Sequence, residues 1–189
     1  MNVLYDLAYV VFDFMNSGPG LLAMLIYSAL VAIPVVLLHE LGHAIAARRL
    51  VGGEVEITVG TAGKLANIRL GEVVMSINAV AHPGRPDGVA RFDASRARFL
   101  DIILIALAGP AASLVGTIVT ALLLSAASPD GVVHDLLWVA TALGVVGVLN
   151  IVPITFRNRD GTTLRTDGRV VLDVVRVVSR LSNRSRRSC

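Results

Sequence analysis

Apolar and polar positions alternate along this chain on a long scale. Three stretches without a charged residue, Leu21 to Leu38, Ile102 to Ser128 and Leu136 to Phe156, are set apart by a long arginine-bearing segment and by a short acidic one. A helix rises 1.5 Å per residue, so even a run of about 18 residues extends roughly 27 Å, close to the hydrocarbon thickness of a bilayer. The pattern therefore predicts three transmembrane helices. The stretch after Gly53 has a different period. "VEITV" alternates apolar and polar positions, "KLANIRL" and "VVMSINAV" read as further strands, and Gly60, Gly63 and Gly71 punctuate them. The expected fold class is an α-helical integral membrane protein, with a three-helix transmembrane core and a membrane-associated β-strand insertion between the first and second spans.

The two ends carry weaker patterns. Residues 1–20 read as an apolar N-terminal segment on the outer side; "MNVLYDLAYVVFDFM" is too short to span and ends at the breaker "SGPG". Residues 21–181 form the core, with spans at about 21–47, 102–128 and 136–156 and the β-rich insertion at about 53–92. The tail "VVLDVVRVVSRLSNRSRRSC" begins as an amphipathic helix and becomes a basic string over 182–189, suited either to anionic lipid headgroups or to solvent.

Composition narrows the class. With 54% hydrophobic and 16% charged residues, the chain is too apolar for an ordinary soluble domain. A single cysteine, Cys189, excludes an intrachain disulfide and a zinc site built from paired cysteines. The net charge of +3 could suit nucleic acid, but the placement of the cations points elsewhere. All 17 Lys and Arg residues lie between the first and second spans (Arg48 to Arg98) or after the third (Arg157 to Arg187). Three spans put those two segments on one side, which the positive-inside rule makes the cytoplasm, with the N-terminus outside. The bilayer, rather than nucleic acid, is the expected partner of this charge, and the arginine-rich, Ala-, Val- and Gly-rich composition suggests a bacterial source.

One apolar stretch is interrupted by chemistry. In "VVLLHELGHAIAARRL", His39 and His43 stand four residues apart, one helical turn above each other on the same face. Ionisable groups at membrane depth cost a few kcal/mol apiece and are usually functional. Both imidazoles can reach one Zn²⁺ at about 2.0 to 2.1 Å. Glu40 is placed to address a metal-activated water without binding the metal, the arrangement of a zinc hydrolase in which water is brought toward a pKa of about 7 and the glutamate accepts its proton. Two histidines leave a tetrahedral zinc short of a protein ligand, and a carboxylate is a usual third. "LNIVPITFRNRDGTTLRTDGRVVLDVV" offers Asp160 and Asp167.

Taken together these segments resemble the site-2 protease family of intramembrane zinc metalloproteases, in a minimal form without a PDZ or CBS domain. The resemblance rests on HELGH at the end of a span, on Asn150 and Pro153 followed by Asp-Gly, on "ALAGPAASLVG" in the second span, and on the strand-forming region after HELGH. Ser113 stands where an asparagine is common, and "GRPDGVARF" replaces the usual Gly-Gly-Tyr ending. The resemblance implies a carboxylate from an Asp-Gly pair as third ligand. Asp167, in the version with Thr before Asp-Gly and an apolar helix after it, is preferred over Asp160, and Thr166 and Asp167 also suit a helix N-terminus. It further implies one Zn²⁺ per chain, held by His39, His43 and Asp167, with Glu40 as base. The activity would be cleavage of a transmembrane segment near the cytoplasmic face, the substrate an anti-sigma factor or a membrane-bound transcription factor precursor.

Other positions carry secondary expectations. Asn150 is placed near the active site, and Ala108, Ala112 and Gly116 form a small-residue stripe for helix packing. An exposed strand edge in the insertion could pair with extended substrate. His82 and His134 are not expected to bind metal. The alternative reading is a catalytically silent metal-binding membrane scaffold or an immunity-type protein; a structural metal would not need Glu40.

Overall fold

The computed structural model describes residues 13, 16, 18–79, 88–129, 131–157 and 163–187, with side chains through residue 181. Most of the N-terminal segment, His82 and Asp160 lie outside the described residues.

Helix α1 (Leu21–Leu50) starts after the Gly-Pro-Gly breaker and carries HELGH in its second half. It ends where Gly52 and Gly53 take positive φ angles of 76° and 80°, a left-handed turn that side-chain-bearing residues resist. The chain then enters β1 (Val55–Val59), followed by β2 (Lys64–Leu70), β3 (Val73–Asn78) and β4 (Gly88–Arg91). The sheet order is β2-β3-β1-β4; β1 and β3 run parallel and the other two pairings are antiparallel. Alternation along β1 buries Val55, Ile57 and Val59 completely, against Ala44 and Ala47 of α1, Met75 and Ile105. This packing seats the sheet on the HELGH end of α1.

Helix α2 (Phe99–Ala126) begins three residues before the uncharged run that predicted it. The carboxylate of Asp101, only 2% exposed, accepts bonds from the backbone N–H of Arg98 and from its guanidinium, which lets a charged residue enter the helix. Helix α3 (Val132–Leu149) corrects the third span in both directions. Its last turn closes with short-range bonds, Ile151 N–H to the Val148 carbonyl and Val152 N–H to the Leu149 carbonyl. Pro153 cannot continue the helix. The last uncharged residues, Thr155 and Phe156, belong with Arg157 to β5 (Thr155–Arg157), paired antiparallel with β6 (Thr163–Arg165), and α4 (Asp167–Arg187) comes next.

Helices α1, α2 and α3 are each long and apolar enough to cross a bilayer. Their outward apolar side chains remain exposed, among them Leu22, Leu30, Leu122 and Val146 at 63% or more. A surface of that kind requires lipid around it. The chain is a multi-pass membrane protein; among the described residues three helices are of spanning length, with a β-sheet inserted between the first two. The small-residue stripe does what it predicts: Gly42 lies against Ala108 and Ala112, and Gly116 against Leu38, so α1 and α2 approach closely.

Candidate metal centre

Two distant chain segments converge at the HELGH end of α1. His39 and His43 project from one face of that helix, and Asp167 arrives as the first residue of α4, 128 residues after His39. Nε2 of His39 lies 3.2 Å from Nε2 of His43 and 3.1 Å from Oδ2 of Asp167, and Nε2 of His43 lies 3.4 Å from Oδ1 of Asp167. Donors about 2.0 Å from a central ion stand about 3.3 Å apart on a tetrahedron, so this triangle has the edge lengths of a zinc site with one position open. The donor chemistry agrees. The Ile105 carbonyl can only accept, so Nδ1 of His43, 2.7 Å from it, carries the hydrogen and the neutral ring presents its Nε2 lone pair to the cluster. Two nitrogens and a carboxylate fit a zinc ion.

The sequence builds the supports of this triangle into neighbouring helices. Ser113 Oγ stands 2.8 Å from Nδ1 of His39 and fixes that ring's orientation from α2. Gly109, one turn earlier on α2, lies under both imidazoles: a Cβ there would run into Nε2 of each. Pro110 removes a helix hydrogen bond at the same level. Asn150, at the end of α3, donates from Nδ2 to Oδ2 of Asp167 at 2.7 Å. Thr166 ties the start of α4 to the end of α3, donating to the Val152 carbonyl at 2.6 Å while accepting from the Ile154 N–H at 2.9 Å. Burial pushes the Asp167 carboxyl up, but hydrogen bonds and charge from His39 and His43 outweigh it and hold the group below its ordinary range.

Glu40 is buried beside the triangle, and the Ala90 backbone N–H donates to its carboxylate. Gly88 of β4 packs so closely on Glu40 that an added Cβ would contact its Oε1. A cavity of about 310 Å³ opens here, lined by the triangle, Glu40, Asn150, β4, Arg165 and apolar residues of α2 and α4.

The structure thus brings His39, Glu40, His43 and Asp167 together, as the sequence analysis expects, and places Asn150 among them. Asp160 lies outside the described residues. His134 sits at the far end of α3, 3.8 Å from Asp135, away from the cluster. Ser113 was missed as a site residue: the hydroxyl stood out only as a departure from asparagine, and its partner lies 74 residues away. Strand β4 was also missed, because four residues without clear alternation carry little strand signal.

Among curated proteins none matches the chain. The sequence model of Peptidase family M50, the family of the site-2 proteases, matches residues 27–129, which take in HELGH, the sheet and α2. That match stops short of Asn150 and Asp167, so their arrival at the two histidines is an independent observation. With more than half of its length covered and the histidine pair completed by a carboxylate, the chain belongs to Peptidase family M50.

Proposed function

We propose that His39, His43 and Asp167 hold one Zn²⁺ and that Glu40 is the general base of an intramembrane endopeptidase. The observation that carries this reading is the triangle of Nε2, Nε2 and carboxylate oxygens, with edges of 3.1 to 3.4 Å, on a helix of membrane-spanning length. When bound, zinc supplies Lewis acidity, bringing water toward a pKa of about 7 and polarising a peptide carbonyl. Glu40 takes one proton from the attacking water and passes it to the amide nitrogen as the peptide C–N bond breaks. Ser113 and the Ile105 carbonyl hold the imidazoles in orientation, and Asn150 holds the carboxylate. Strand β4, the sheet edge beside Glu40, supports pairing with an extended stretch of substrate backbone.

A transmembrane segment of another membrane protein is the substrate, and the family resemblance favours an anti-sigma factor or a membrane-bound transcription factor precursor. The cations of residues 48–98 and 157–187 support, by the positive-inside rule, a cytoplasmic side for the HELGH end of α1 and the start of α4, with the cut near that face. The test is zinc content per chain in detergent-purified protein. One zinc is expected in the wild type and in Asp160→Asn, with loss in Asp167→Asn. A well-folded wild type that holds none would sink the reading.

A further inference from the structure

Arg165 is the one Lys or Arg among the described residues that line the metal-centre cavity. It ends β6, two residues before Asp167, and it also lines the two adjoining cavities, one against Phe156 and Leu164 and the other against Phe99 and Val177. Arg165 is thus shared by three neighbouring cavities. The Arg165 side chain is 58% exposed and pairs with Asp173 of α4 at 3.4 Å. That carboxylate is shared: Arg169 approaches it to 3.1 Å and Arg176 to 4.0 Å. Three guanidiniums share this one carboxylate, so Asp173 does not fully neutralise Arg165, and an exposed pair of this kind exchanges partners at little cost.

The rest of the wall sets the character of what could answer that charge. Val89, Phe92, Ile102, Ile105 and Val170 line the same cavity and make much of its wall apolar. A planar guanidinium lining such a cavity is suited to a carboxylate, which it can receive through two parallel hydrogen bonds. We infer that Arg165 is a carboxylate-binding subsite of the cavity, selecting substrates that carry a carboxylate close to the bond that is cut. The inference rests on the proposed metal site and names a substrate class for it. The carboxylate has two sources, an acidic side chain or the free end of a peptide chain.

The probes are three short apolar peptides bearing a hydroxamate to engage the metal. One ends in a neutral amide, one in a free carboxylate, and one in a neutral amide after an internal Glu. Their dissociation constants are measured by calorimetry on the zinc-loaded, detergent-purified full chain and on Arg165→Gln, Arg165→Lys and Arg157→Gln. Arg157 lies on the other strand of the same hairpin, paired with Thr163, and serves as the control. A carboxylate-bearing probe should bind the wild type about tenfold more tightly than the neutral one, as expected for a charge-assisted pair. The preference should vanish in Arg165→Gln, return in part in Arg165→Lys and persist in Arg157→Gln. The tighter of the two carboxylate probes identifies the source. Equal binding of all three probes to zinc-loaded wild type, or a preference that survives Arg165→Gln, overturns this inference alone. A folded wild type without zinc overturns the metal site and this subsite together.

Discussion

Ser113 on α2 holds His39 on α1: Oγ and Nδ1 are 2.8 Å apart, and the serine is 2% exposed. A ring held through one nitrogen presents the other at a fixed angle, and removing such a partner typically costs 10- to 100-fold in metal affinity. Ser113→Ala should therefore weaken zinc binding by roughly that factor while leaving the stoichiometry at saturation unchanged. Competition with a graded series of chelators measures it, and unchanged affinity would assign the serine to packing alone.

Glu40 separates metal binding from catalysis. Its carboxylate makes no contact that the triangle needs, so Glu40→Gln should keep its zinc and lose cleavage of a reconstituted transmembrane substrate by about 100-fold or more. Zinc content and cleavage rate on the same preparation decide it. Parallel loss of both would place Glu40 among the ligands instead.

Gly109 is a steric prediction. A methyl group there meets both Nε2 atoms, whereas one at Gly63 meets nothing within 4 Å. Gly109→Ala should abolish zinc uptake, and Gly63→Ala should leave it unchanged. Retained zinc in Gly109→Ala would mean that α1 and α2 separate more easily than their packing implies.

Acid should loosen the start of α4 in the zinc-free protein. The Asp167 carboxyl is held below its unfolded value, so the stability it contributes is fully present above that value, about pH 4, and is lost as pH falls through the lower, folded one. Protection of the first turn of α4 against hydrogen exchange, taken relative to the intrinsic rate at each pH, should stay high from neutrality to about pH 4 and fall below it. Asp167→Asn should remove that acid-dependent component. A first turn equally protected at every pH would show that Thr166 and Asn150 hold α4 without the carboxylate.

Much of this arrangement is legible in the sequence, for unequal reasons. The spans follow from uncharged runs, and the histidine pair from a four-residue spacing on a helix that its own apolar flanks define. Asp167 depended on resemblance, because a carboxylate 128 residues from its partner leaves no local pattern. The end of α3 was misplaced since Thr155 and Phe156 are uncharged, and hydropathy cannot distinguish a membrane helix from a short hairpin that follows one. Parallel pairing of β1 with β3 is likewise a property of the assembled sheet, invisible to the alternation within each strand.

The distance along the chain between His39 and Asp167 also fixes an order of events. During synthesis the two histidines enter the membrane with the first helix, while the residue that completes their triangle has still to be made and must wait for α2, α3 and the β5–β6 hairpin. Until then the cell holds a precursor with only two of the three donors, and a two-donor site binds metal weakly. On the proposed metal site, capture by all three donors has to await the arrival of Asp167, and a chain truncated before it would lack one ligand of the triangle.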